Sequence, residues 1–154
     1  MSPRSLAGTT FRETPLLRSD QSVGEAVRAL LQTELPALPV VEADGILLGI
    51  FGEREFVAAL FPGYLGELRS AAFVSESIED VIDKRIECRL EPVARYTNRE
   101  HVAAGPHHSD TELAETFLHH RVLVIPIVED QRVLGVVTRS DFFNALVERF
   151  IDRE

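Results

Sequence analysis

The 154 residues carry 16 Lys and Arg against 25 Asp and Glu, a formal net charge of −9, which argues against a surface built to follow a nucleic-acid backbone. Hydrophobic residues make up 45% of the chain, enough for a globular core, yet no apolar run reaches the roughly 18 residues that a membrane helix needs. The opening "MSPRSLAGTT" has no apolar h-region, so no secretory signal is expected, and the single cysteine, Cys88, leaves no internal disulfide and fits a reducing cytoplasm.

In chain order, the first clear signal is Ser22-x-x-Glu25, a capping box whose hydroxyl can take an orphan amide at a helix start. Apolar residues then recur at Val23, Ala26, Val27, Leu30 and Leu31, the spacing of a helix with one buried stripe. "ALPVV" (37–41) is short, apolar and rich in β-branched residues, and predicts a buried strand. The Asp-Gly of "EADG" marks a turn, "ILLGIF" (46–51) a second strand, and Phe56, Val57, Leu60 and Phe61 the apolar face of a closing helix. In the stretch that follows, "SESIEDVIDKR" sets Ile78, Val81 and Ile82 on one face of a further helix, which can be a spacer or an ordered lid.

From Ser109 the first pattern returns. Ser22 aligns with Ser109, Glu25 with Glu112, Leu31 with Leu118, Pro39 with Pro126 and Val41 with Val128, each 87 positions on. After a one-residue adjustment in the turn "EDQR", "GIFGEREFVAALF" (49–61) lies on "GVVTRSDFFNALV" (135–147). The second copy thus has a capping box, a helical stripe at Leu113, Ala114, Phe117 and Leu118, the strands "VLVIPIV" and "VLGVV", and a closing helix on Phe142, Phe143, Leu146 and Val147. One copy of about 50 residues is near the lower size limit for folding alone, so the copies are expected to share a core. The fold class expected is α/β of the α+β kind: two pseudo-symmetric β-α-β-β-α repeats packed as one module, residues 12–62 and 93–150, with a helical insertion at 63–92.

The order strand, helix, "PVV", turn, "GhhTxxD", helix resembles the cystathionine-β-synthase (CBS) domain, found in pairs as a Bateman module. The second copy carries the fuller match, with Pro126, Gly135, Thr138 and Asp141 at the motif positions; the first has Gly49, Gly52 and Glu55 there. The resemblance implies an adenosine-containing ligand of the AMP, ADP or ATP type in a cleft between paired domains, no catalysis, no cofactor beyond that regulatory nucleotide, and a homodimer formed through the final helices. With no effector domain on the chain, a separate effector protein is implied.

The chemistry of the residues is consistent with this. Thr138 and Asp141 fall at a strand-to-helix junction as the candidate ribose contacts: a carboxylate can accept from both hydroxyls of a ribose, each such bond contributing on the order of 1.5–3 kcal/mol, and Thr138 adds a hydroxyl beside the same sugar. The helix N-terminus favours phosphate, with Arg139 and Ser140 the candidate contacts. Gly135 permits close approach, Val124, Ile125 and Pro126 are candidates for the wall against the base, and His107 and His108 lie in the loop that faces the base in the family. The same Thr and Asp can instead be helix caps with no ligand, and the whole module can be a ligand-free dimerisation scaffold. In the first copy, Gly52 offers no hydroxyl, so Gly52, Arg54 and Glu55 are expected to form at most a degenerate second site. No metal site is expected: neighbouring histidines on a helix point about 100° apart, and neither the His101, His107-His108 nor His119-His120 group has a completing Cys or carboxylate. No catalytic motif is present.

Overall fold

In the computed structural model, which describes residues 12–61, 77–107 and 109–153, the first copy is built from β1 (Leu17–Arg18), α1 (Val23–Thr33), β2 (Ala37–Val41), β3 (Leu47–Gly52) and α2 (Glu53–Leu60). The insertion supplies α3 (Ile78–Arg85) and two short 3₁₀ turns, Ile86–Leu90 and Val93–Tyr96. The second copy follows with α4 (Asp110–His120), β4 (Val124–Glu129), β5 (Arg132–Thr138) and α5 (Arg139–Ile151). Residue 62 at the end of the first copy, residues 63–76 of the insertion, and His108 lie outside the described residues.

The helix starts follow from their caps. Ser22 Oγ accepts from the Glu25 amide and Ser109 Oγ from the Glu112 amide, both at 3.1 Å, so each repeat helix opens on the hydroxyl half of the expected box. Each also ends alike, on a non-glycine residue in the left-handed region: Glu34 at φ 58° and Arg121 at φ 51°. The two positions are 87 apart, and holding a residue with a Cβ there costs on the order of 1–3 kcal/mol, so the same strain is held in both copies.

The sheets repeat the symmetry. In the first, β1 runs parallel to β2 and β2 antiparallel to β3. In the second, β4 and β5 are antiparallel, and the first strand shrinks to one parallel bridge, Ala104 to Ile127, the counterpart of Leu17 to Val40. Even the irregularity in β2, between Val40 and Val41, recurs in β4 between Ile127 and Val128.

The copies are interleaved. Arg12, ahead of the first copy's β1, exchanges two backbone hydrogen bonds with Val136 of β5, at 3.0 and 2.9 Å. Asn98, ahead of the second copy, does the same with Ile50 of β3, at 2.8 and 3.1 Å. Gly49 makes that crossing possible, because a Cβ there would stand 2.8 Å from Thr97 Cγ2. One hydrophobic cluster accordingly joins Leu17, Leu38, Val40 and Phe51 of the first copy to Val124 and Val136 of the second, while Leu113, Phe117, Ile125 and Phe142 form a smaller one. Phe117 and Phe142 hold their rings 5.5 Å apart.

Several expected stripes divide. Leu31 and its repeat partner Leu118 are 74% and 78% exposed, so the inward faces of α1 and α4 are carried by Val23, Ala26 and Leu30 and by Leu113 and Phe117. Both leucines stand in the last turn, one position past the residue that faces the sheet. On α3 only Val81 is buried, with Ile78 and Ile82 exposed. On α5 Phe142 is buried, whereas Phe143 and Phe150 are exposed.

Candidate functional site

Among the described residues, two neighbouring cavities lie at the junction between the copies. The larger, about 680 Å³, is bordered by Glu53, Arg54 and Glu55 at the start of α2, by Arg95 to Asn98, and by His120 to Val124 of the second copy. The smaller, about 320 Å³, lies between Glu34, Leu35, Pro36 and Glu53 of the first copy and Leu123, Thr138, Arg139 and Ser140 of the second. Small-molecule sites occupy about 300–1,000 Å³, so both fall in range and the larger sits comfortably within it.

Each cavity meets the N-terminus of a closing helix, and matching main-chain bonds set those helices in place. Glu53 donates its amide to the Pro36 carbonyl at 3.0 Å, and Arg139 donates to that of Leu123 at 2.9 Å. The side chains then diverge. Thr138, only 5% exposed, accepts from the Asp141 amide at 3.0 Å, so its hydroxyl oxygen is engaged as the α5 cap. The Asp141 carboxylate receives a two-pronged contact from Arg12, Nε to Oδ2 at 2.7 Å and Nη2 to Oδ1 at 2.6 Å. In the first copy the capping is reversed. Gly52 has no side chain to give, and Glu55 accepts the Gly52 amide at 2.9 Å. Burial pushes the Glu55 carboxyl above its ordinary range, against the lowering pull of these amides and of Arg54.

Three arginines border the larger cavity, Arg54 from the first copy and Arg95 and Arg121 from the second, among the carboxylates of Glu53, Glu55 and Glu100; each guanidinium offers a fork suited to an anionic group. The cavity wall is braced from the insertion: Arg85 of α3 donates to the Ala59 carbonyl at 3.1 Å and to the Tyr96 hydroxyl at 3.0 Å. Tyr96 in turn donates to Glu91 at 2.7 Å, where Arg95 also bonds at 2.8 Å. The Tyr96 hydrogen bond, with the nearby arginines, holds the Glu91 carboxyl below its usual range despite some desolvation. The described part of the insertion is therefore a buttress for the cavity wall.

The structure places the sequence-derived candidates unequally. Thr138, Arg139 and Ser140 share the smaller cavity, with Asp141 tied beside them to Arg12. Arg54 and Glu55, expected to form a degenerate site, border the larger cavity, and Gly52 lies at the junction of β3 and α2 beside it. Val124 touches the larger cavity, whereas Ile125 and Pro126 are buried within β4. Gly135 is buried in β5, His107 is exposed in a turn away from both cavities, and His108 lies outside the described residues. Sequence reasoning missed Arg12, Arg95, Asn98 and the site role of Arg121. No repeat offset disclosed them: before the turn the offset of 87 sets Arg12 on Arg99, and only the bridges Arg12–Val136 and Asn98–Ile50 make Asn98 the counterpart of Arg12.

The comparisons with known proteins agree with this architecture. The family model described as "CBS domain" matches twice, over residues 11–62 and 93–148, and the chain belongs to the CBS-domain family as a tandem pair. A protein of Methanocaldococcus jannaschii is 23% identical over 143 residues, covering 83% of each chain. Two further curated relatives are longer, and this chain spans 38% and 21% of them. Among solved structures, CBSX2 in complex with AMP superimposes with a TM-score of 0.70 at 18% identity, over 97% of this chain and 100% of that one. A CBS domain pair in complex with 5-methylthioadenosine and S-adenosyl-L-methionine gives 0.71 at 19%, over 96% and 99%. At these identities the structures establish the fold.

Proposed function

We propose that this CBS pair is a ligand-sensing regulatory module, without catalytic activity of its own, that takes an adenosine-containing nucleotide of the AMP, ADP or ATP type in the clefts between its copies. The observation that carries the reading is the 680 Å³ cavity at the copy junction, with a helix N-terminus, the three carboxylates of Glu53, Glu55 and Glu100 and three arginines on its border. AMP and S-adenosylmethionine in the two similar structures support the ligand class. In the first cleft Glu55 receives the ribose, while Arg54, Arg95 and Arg121 face the phosphates. In the second, Asp141 receives the ribose and Arg139 with Ser140 the phosphates, Thr138 remaining the helix cap. Binding across the junction shifts the relative population of two arrangements of the copies, and a separate effector protein in the cytoplasm reads the difference. The module pairs with a second copy through α5, whose Phe143 and Phe150 are 61% and 83% exposed. That same apolar face favours the second reading, a ligand-free dimerisation scaffold.

Thermal stability with adenine and guanine nucleotides separates the two. A ligand at a hundred times its dissociation constant adds about 2.7 kcal/mol, which for a chain of this size raises the melting temperature by about 5–10 °C. The sensor reading predicts that rise with at least one adenine nucleotide and a smaller one in Asp141→Ala. A flat response to every nucleotide supports the scaffold.

A further inference from the structure

We infer that Arg12 is a built-in competitor for the ligand at Asp141, so that the two clefts of this module differ in affinity because of one residue. The inference deepens the proposed function and rests on it. A carboxylate presents about four acceptor positions, and the Arg12 fork fills one on each Asp141 oxygen, at 2.7 and 2.6 Å. A ribose diol approaching the same two oxygens needs the positions the guanidinium holds, and the two cannot lie in that plane together. Arg12 is kept on station by its main chain, which is bonded in both directions to Val136, so the side chain competes from a tethered position rather than by diffusion. It can also leave: 48% of the Arg12 side chain and 22% of the Asp141 side chain are exposed, so the guanidinium has solvent to swing into.

The pseudo-symmetry supplies the control within the molecule. Arg12 bridges Val136 of β5 as Asn98 bridges Ile50 of β3, and these two crossings, not the repeat offset, set Arg12 and Asn98 in corresponding places. In the first cleft the corresponding side chain is thus a neutral amide, whose Oδ1 accepts from the Glu100 amide at 2.9 Å, and Glu55 bonds its own helix cap instead of a guanidinium. The first cleft is open to a ribose as it stands, while the second opens only when Arg12 is displaced. The module therefore fills in sequence, first cleft before second.

Isothermal titration with adenosine, which has no phosphate for Arg12 to meet, tests this on wild type, Arg12→Gln, Arg12→Lys, Asp141→Asn and Arg12→Gln/Asp141→Asn. Removing an exposed two-pronged ion pair releases the competition by about fivefold. Arg12→Gln is expected to tighten the weaker of two binding events by that factor, or to bring a second event into view, and to leave the tighter one unchanged. Arg12→Lys, with a point charge and no fork, should fall between, and the double variant should lose the gain. A weaker event that is the same in wild type and Arg12→Gln, yet lost in Asp141→Asn, overturns the competitor while the ligand reading stands. A weaker event further weakened in Arg12→Gln makes Arg12 a ligand contact and also overturns it. Absence of binding by adenosine and, in a parallel titration, by AMP in all five proteins removes the ligand reading itself, and the competitor with it.

Discussion

Phe51→Ala is expected to cost about 3–5 kcal/mol, the usual range for emptying a fully buried phenylalanine site, and to unfold both copies together. Phe51 is wholly buried at the end of β3 and belongs to the cluster that also contains Val124 and Val136 of the second copy. The crossed bonds Arg12–Val136 and Asn98–Ile50 stitch the same layer from both ends. A cavity there removes dispersion contacts from residues of both repeats at once. Urea unfolding followed by far-ultraviolet circular dichroism should show a single transition, moved to lower denaturant with its slope unchanged. Two separated transitions, with the second copy holding its midpoint, would mean that each repeat is stabilised by itself.

Gly52→Thr is the second large effect, and its direction runs against the family motif. The substitution writes into the first copy the threonine that the second has at position 138, and a new hydroxyl cap is worth about 1 kcal/mol. A Cβ at Gly52, however, would drive into the Pro36 carbonyl oxygen and stand 2.6 Å from Ala37 Cβ. The obstruction is backbone, held by the Glu53 amide that bonds that same carbonyl, so it cannot turn aside as a flexible side chain would. Overpacking of this kind costs about 1–3 kcal/mol and exceeds the cap. The variant is expected to melt below wild type. Stability equal to or above wild type would show that the Pro36–Ala37 segment can retreat, and that Gly52 is not required for packing.

Those two residues also show how far the sequence could be read. Repetition at a fixed offset disclosed the fold, because capping serines, β-branched strands and the glycine before each closing helix recur in order, and the structure realises them down to matching strained residues at Glu34 and Arg121. Helical spacing alone could not tell which leucines face inward: Leu31 and Leu118 fit the stripe yet project into solvent from the last turn, where a position more or less changes the face. The site was legible in type but not in state. Thr138 and Asp141 were identifiable as a junction pair, but the partner that engages the carboxylate comes from 129 residues away, through a strand crossing that no local pattern encodes. Likewise, the missing hydroxyl at Gly52 reads as decay of a site when the motif is considered alone. The close approach of Pro36 gives it a packing cause, and the cavity beside it is the larger of the two.

A crystal structure of the protein grown with AMP examines the central claim most directly. AMP is expected at the copy junction, its ribose hydroxyls within hydrogen-bonding distance of Glu55 or, with Arg12 swung aside, of Asp141, and its phosphate toward the arginines that border the cleft. AMP bound only on the outer faces of the helices, with both carboxylates still bonded as they are here, would contradict the account.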